Sequence, residues 1–405
     1  MHVAFDGTTL RPERTGVGYY TEHLLRHLLQ CGDDVELSVI SDRPIETTSP
    51  LPSCVRVPTG SWTISRLLWM QTIAPRVLRD LRPDVAHFTN GMTPLASPVP
   101  TGVTIHDMSL TLYPRYHPPR RVLLNRPLVN MAARRADAII TVSESAKRDI
   151  LDVFGLAPDR VHVVHEAAAP SFRRVQDQDV LDRVRARYGL AERFILYVGT
   201  IEPRKNLLKL CEGFARRRAK GDLPHQLVCA GPYGWLSRGL ADHIARLGIA
   251  EPTRFTGYVP FEDLPALYTL AEMFVFPSLY EGFGLPVVEA MACGTPVITG
   301  RVAALSEVTG DAVEHVDDLE PDAIGDALAR LSADEGRRQE LSSRGLERAR
   351  RFSWERAARE TVEISRRVAG RPAIARKAPV GFASGHAEPL TGVGHPHAAA
   401  RETQP

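Results

Sequence analysis

Phe276 to Gly300 reads Phe-Pro-Ser-Leu-Tyr-Glu-Gly-Phe-Gly-Leu-Pro-Val-Val-Glu-Ala-Met-Ala-Cys-Gly-Thr-Pro-Val-Ile-Thr-Gly. The apolar run from Glu272 to Phe276 predicts a strand that ends in a loop carrying Gly282 and Gly284. Pro286 then opens a short helix, Gly294 ends it, and Pro296 to Thr299 starts the next strand, since proline favours a first helical turn and glycine the residue past a last one. The unit is strand, loop, helix, strand.

The two glycines allow a ligand to approach the main chain, and the helix behind them turns its free N–H groups and positive dipole end to the same space, which suits an anion. Glu281 and Glu289 flank this site, and a carboxylate beside a phosphate is repulsive unless it faces hydroxyls that donate to it. Sugars supply such hydroxyls. Two glutamates with seven residues between them, around Gly-Phe-Gly-Leu-Pro, resemble the signature of glycosyltransferase family 4, retaining nucleotide-sugar transferases of GT-B fold. That resemblance implies an α/β architecture of two Rossmann-like domains facing each other across a cleft. Taken alone, Glu281 and Glu289 would read as a solvated carboxylate and a helix-face residue.

A chain of 405 residues is long for one core, and 43% hydrophobic residues suffice for two. A formal net charge of +2 gives no reason to expect nucleic acid as a partner. Cys31, Cys54, Cys211, Cys229 and Cys293 form no Cys-x-x-Cys pair and suit a reducing compartment. The chain starts in a strand, and no run approaches eighteen apolar residues, so the expected location is the cytoplasm, at most peripheral at the inner membrane face.

Working outward, residues 1–170 read as an N-terminal, acceptor-side domain. The strand at Val3 to Phe5 leads to Gly16-Val-Gly18 and an amphipathic helix, with Thr21 where a dinucleotide fingerprint wants its third glycine. Classical NAD binding is therefore disfavoured, and the resemblance implies backbone contacts to a donor diphosphate at Gly16 and Gly18. A helix is expected over Ile64 to Leu81, and strands over Asp84 to Phe88 and Gly102 to Ile105. The second of these ends at His106-Asp107, where a parallel sheet faces its ligand, and the resemblance puts His106 beside the transferred sugar. Tyr113 to Arg135 holds six arginines and no acid, interleaved with leucines. It reads as a solvated helix face, a contact to anionic membrane or a seat for an acceptor's phosphate. Ser143 is expected to cap a helix over Glu144 to Phe154, and His165 to Arg187 reads as the connection between domains.

Residues 190–350 read as the nucleotide-sugar-binding domain. Phe194 to Gly199 predicts a strand end, followed by Glu202-Pro-Arg-Lys-Asn, with Arg204 and Lys205 placed to neutralise a diphosphate. Many relatives carry arginine after that glycine and this chain has Thr200, so Arg204 is the expected substitute. A helix is expected over Trp235 to Leu247, and the resemblance implies base contacts at Tyr258 and Val259. It further implies sugar contacts at Glu281 with the amides of Gly282, Phe283, Gly284 and Leu285, and ribose contacts at Glu289. Residues 352–369 read as a helix crossing back to the first domain, and 371–405, rich in Pro, Gly, Ala and His, as a disordered tail.

These parts imply transfer of a sugar from a nucleoside diphosphate sugar to a glycan or lipid-linked acceptor in polysaccharide or glycolipid biosynthesis. His106, Glu281, Arg204 and Lys205 are the expected catalytic residues. No metal is expected, because cationic side chains, amides and a helix dipole can each supply roughly 2–4 kcal/mol toward the departing diphosphate. Ile105-His-Asp with Glu202-Pro-Arg-Lys-Asn looks like the mannosyl- and rhamnosyl-transferring branch. GDP-mannose is the first expected donor, ahead of a UDP- or dTDP-sugar. The alternatives are a sugar-nucleotide epimerase of the same fold, a non-catalytic nucleotide-sugar-binding protein and, weakest, a nicotinamide oxidoreductase.

Overall fold

The structure is a computed structural model that describes residues 1–370 apart from 13, 15, 33, 49, 52–64 and 236–238; the expected tail at 371–405 and Cys54 lie outside the described residues. Two parallel six-stranded sheets form its two halves. The first runs β2-β1-β3-β4-β5-β6, with β1 His2–Asp6, β2 Glu36–Ile40, β3 Val85–Phe88, β4 Thr101–Thr104, β5 Ala138–Thr141 and β6 Val161–Val163. The second runs β12-β11-β10-β7-β8-β9. Its strands are β7 Phe194–Val198, β8 Gln226–Ala230, β9 Thr253–Gly257, β10 Met273–Phe276, β11 Val297–Gly300 and β12 Glu314–Val316. Central strands are apolar throughout because helices cover both faces: β10 is buried at every position.

Strand order reverses between β1 and β3 in one sheet and between β7 and β10 in the other. Chains leaving the two neighbouring strands at such a point diverge to opposite faces and leave a crevice at the strands' carboxyl ends. In the second half that crevice is flanked by the loop after Val198 and the loop after Phe276, the two segments with the strongest chemical signals in the sequence.

One apolar cluster fills the second half, and two line opposite faces of the first sheet. The last helix, Trp354–Ala369, is capped by Ser353 and lays Trp354, Ala358 and Val362 into a first-sheet cluster, with Trp354 edge-on to Tyr20 at 5.7 Å. Several local expectations differ. Gly16 and Gly18 lie in the first turn of helix Gly16–Leu28 and not in a loop before it. The helix expected over Ile64 to Leu81 is broken at Ile73 into Arg66–Thr72 and Ala74–Leu81, because Pro75 has no N–H to continue the first. Helix Gln178–Tyr188, capped by Asp177 and ended by Gly189, occupies much of the expected connection, and its Val184 and Tyr188 join the second core. Of the helix expected over Trp235 to Leu247, Leu240–Arg246 is helical, and 236–238 lie outside the described residues.

Candidate active site

The glycine loop between β10 and helix Leu285–Ala292 is held from both halves. A Cβ on Gly282 would stand 1.8 Å from the His106 carbonyl oxygen, so glycine alone lets the loop rest on the end of β4. Ser143, which caps helix Glu144–Phe154 through Ala146 N at 3.0 Å, also donates to the Gly282 carbonyl at 2.6 Å. Tyr280 donates to Asp149 Oδ2 at 2.6 Å and receives Met108 N at 3.1 Å. Glu307 accepts the N–H groups of Glu144 and Ser145 at 2.8 and 2.9 Å, so a carboxylate from the second half closes a helix N-terminus of the first. Gly282→Ala must displace backbone on one side or the other. We expect a loss of about 1–3 kcal/mol in urea unfolding together with loss of transferase activity; a variant with parental stability and rate would show that the loop does not need this approach.

Below the loop lies a compact charge network. Lys205 Nζ donates to Glu281 Oε1 at 2.6 Å and lies 4.8 Å from the centre of the Phe276 ring. Ser278 donates to the same carboxylate, and Arg204 Nη1 is 3.3 Å from it. Burial would raise the Glu281 pKa, but Lys205 and Arg204 outweigh it and hold the carboxyl below its usual range. Arg204 also pairs with Glu202 at 2.7 Å and donates to the Tyr280 carbonyl. Its charge further helps to hold the half-buried Asp107 carboxyl low against the cost of desolvation. Arg204 is thus a shared counter-ion for several carboxylates, and Lys205 has one.

His106 is enclosed. Nδ1 faces Glu166 Oε1 and Nε2 faces the Thr89 carbonyl, both at 3.0 Å, and the Tyr20 ring stands edge-on at 4.5 Å. Two acceptors at the two ring nitrogens are satisfied by a doubly protonated imidazole. Burial opposes that charge, yet the bond and charge of Glu166, with Thr89 and Asp107, carry the ring's pKa upward. What His106 turns to the loop is its backbone carbonyl.

A cavity of about 170 Å³ lies between the halves. Arg14, Gly16 and Tyr19 line it from the first; Thr200, Tyr258, Val259, Leu285 and Glu289 are among those lining it from the second. The Tyr19 and Tyr258 hydroxyls meet at 3.2 Å across it, and Tyr19 stacks on Phe261 at 4.5 Å. Glu289 receives the Tyr268 hydroxyl at 2.9 Å, and burial, with the Glu166 charge adding, pushes its pKa up to about 7.

Of the residues expected here, Gly16, Tyr258, Val259, Leu285 and Glu289 meet in the cavity, while Arg204, Lys205, Glu281 and Gly282 with His106 form the network beside it. Gly18 instead admits the loop before it, since a Cβ there would be 3.0 Å from the Thr9 carbonyl. Gly284, at φ +99°, presses on Leu305, and the Phe283 ring is buried edge-on to Phe352 at 5.4 Å, which anchors the loop from behind. Arg14, Tyr19, Glu166 and Glu202 escaped the sequence reading. Glu166 carried a usable signal, since it lies just past the carboxyl end of β6.

Residues 14–171 match the profile of Glycosyltransferase Family 4, and residues 182–348 that of glycosyl transferases group 1. The chain is 35% identical over 380 residues to the O-antigen chain mannosyltransferase B of Escherichia coli, covering 89% of this chain and 98% of that one. It is 33% identical over 237 residues to the serotype-specific mannosyltransferase WbdA of Escherichia coli, covering 56% of this chain and 28% of that longer protein. Among solved structures, sucrose-phosphate synthase from Thermosynechococcus elongatus superposes with a TM-score of 0.70 at 20% identity, over 90% of this chain and 98% of that one. Two parallel-sheet halves, a glycine loop seated between them and a near-full-length relative agree: the chain belongs to glycosyltransferase family 4 and is a transferase of GT-B fold that acts in glycan biosynthesis.

Proposed function

We propose that the chain transfers mannose from GDP-mannose, with retention of anomeric configuration, to a hydroxyl of a glycan or lipid-linked acceptor. The observation that carries this reading is the juxtaposition of Lys205 and the N-terminus of helix Leu285–Ala292 with the buried Glu289 at the β7/β10 crevice. Cationic and amide groups suit a diphosphate there, and a carboxylate in the adjoining cavity suits ribose hydroxyls. The 35% identity to a protein named as a mannosyltransferase supports the sugar.

In this reading the anomeric C–O bond breaks toward the diphosphate. Lys205 and the helix amides take up the charge that develops on its oxygens, which makes a divalent metal unnecessary. The His106 and Gly282 main chains fix the sugar's floor. With both ring nitrogens of His106 engaged by Glu166 and Thr89, the acceptor's proton leaves with the diphosphate, on the face from which the acceptor attacks. With a lipid-linked acceptor the enzyme works peripherally at the inner membrane face.

A thermal-shift panel of GDP, UDP and dTDP with their sugar conjugates tests the donor. A ligand at 100 times its dissociation constant adds about 2.7 kcal/mol to the folded state, so GDP and GDP-mannose are expected to raise Tm by several degrees. A shift with UDP or dTDP alone would replace the donor assignment, and no shift with any of them would remove the crevice from the reading.

A further inference from the structure

The carboxylates of the second half that border the glycine loop are taken up by cations: Glu281 pairs with Lys205 and Arg204, and Glu202 with Arg204. Asp107, on the first-half side of the same loop, is placed differently. It lies just past the carboxyl end of β4, and a Cβ on Gly282 would stand 3.1 Å from the Asp107 Cβ, so its side chain begins where the two halves touch. Oδ1 closes a tight turn by accepting Ser109 N at 2.8 Å. Among the described residues no group donates to Oδ2, and the residue is half-buried at the crevice.

His117 stands beside it. Its Nε2 meets Ser109 Oγ at 3.1 Å, so one serine fixes both side chains. The residue is 5% exposed, yet its Nδ1 is buried without a partner. Burial, with the Arg121 charge adding, moves the imidazole pKa down despite nearby Asp107, which leaves the ring uncharged at neutral pH. An uncharged ring presents Nδ1 as donor or acceptor according to its tautomer, and a hydroxyl serves either. Trp235 of the second half, tied to the Tyr116 carbonyl at 2.6 Å, packs on the imidazole with ring centres 5.7 Å apart. A ligand therefore reaches His117 before the second half closes over it.

We propose that Asp107 and His117 form the acceptor subsite, and that its occupant is the neutral, hydroxyl-bearing end of a saccharide. The inference rests on the transferase reading above and names the acceptor end that reading left open. Lys205, helix Leu285–Ala292 and Glu289, the groups given to the donor, all belong to the second half. A ring held by Asp107 meets the transferred sugar from the first half, at the edge of the Gly282 floor. A carboxylate oxygen without a partner binds a hydroxyl that donates to it and repels a phosphate. Asp107 thus holds a hydroxyl neighbouring the one that attacks, while the attacking hydroxyl's own proton goes to the departing diphosphate.

Acceptor kinetics test this, with whichever sugar nucleotide raises Tm supplied as donor, so that an error in the donor assignment and an error here read out separately. The full chain is assayed with the methyl glycosides of mannose, glucose, galactose and N-acetylglucosamine, and with phosphate monoesters of the same sugars. Transfer to at least one neutral glycoside is expected, and at least about tenfold poorer transfer to its phosphate ester. Asp107→Asn keeps an oxygen for Ser109 N but puts an amide donor in the place of Oδ2. It is expected to raise the acceptor KM about 10- to 100-fold, the scale of a hydrogen bond to a charged acceptor, with the donor dissociation constant and Tm close to parental. An unchanged acceptor KM in that variant overturns the proposal, as does an equal loss of donor affinity, which would make Asp107 part of the donor site. Should the variant fail to fold, the parental panel decides: equal or better transfer to the phosphate esters, or none to any neutral sugar, overturns it. If no sugar nucleotide shifts Tm, the crevice reading falls and this subsite with it.

Discussion

Lys205→Ala is expected to lower kcat/KM about a hundredfold, the usual cost of removing one group aimed at developing charge. In the ligand-free structure the ammonium is neutralised by Glu281 at 2.6 Å, inside a pocket floored by Phe276. A diphosphate brings more negative charge than one carboxylate, and its charge grows as the glycosidic bond breaks, so the lysine's contribution is larger in the transition state than in the ground state. The fold should survive, because Glu281 keeps Arg204 at 3.3 Å and the Ser278 hydroxyl. Arg204 offers no such clean test, since its removal would take the guanidinium from Glu202 and from the Tyr280 carbonyl as well as from Glu281. Initial rates and donor affinity measured on the Lys205 variant decide the matter: kcat/KM within threefold of the parent, with an unchanged melting profile, would remove Lys205 from the diphosphate.

Glu289→Gln is expected to weaken donor binding about 10- to 100-fold at pH 8, the scale of hydrogen bonds made to a charged acceptor. It should also abolish a pH dependence that the parent shows. Burial raises the Glu289 carboxyl to about 7, and ribose hydroxyls donate best to the ionised form. Donor binding therefore expels a proton wherever the free enzyme holds one. The apparent dissociation constant should be flat above neutrality and rise roughly tenfold for each pH unit below it. Glutamine has nothing to titrate at that position. Calorimetry across pH 5.5 to 8.5 in buffers of differing ionisation enthalpy measures both effects, and a parental enzyme with pH-independent affinity would place the ribose elsewhere.

Much of this was legible before any coordinates, and the parts that were share a cause. Gly282, Glu281, Glu289 and Lys205 lie within short segments whose strand, turn and helix are set locally, so their spacing in sequence carries their spacing in space. Tyr19 and Arg14 are different. They reach the cavity because two halves close on each other, and nothing near residue 19 in sequence records that Tyr258 stands opposite. The place of the Phe283 amide in the loop is local and legible, whereas its ring is turned away by Phe352, 69 positions on, which nothing nearby in sequence records. The role of His106 was half legible. A strand-end histidine points to the crevice, but only the fold shows that Glu166 and Thr89 occupy both of its nitrogens.

The final helix also bears on how the molecule is made. Phe5, Leu24 and Leu28 belong to the opening stretch of the chain, yet the cluster they share is completed by Trp354, Ala358 and Val362. At a synthesis rate of about 5–20 residues per second, the first half leaves the ribosome tens of seconds before its own cover does. Throughout that interval a greasy flank waits open to water, and an early stop codon anywhere ahead of residue 354 would leave it open for good.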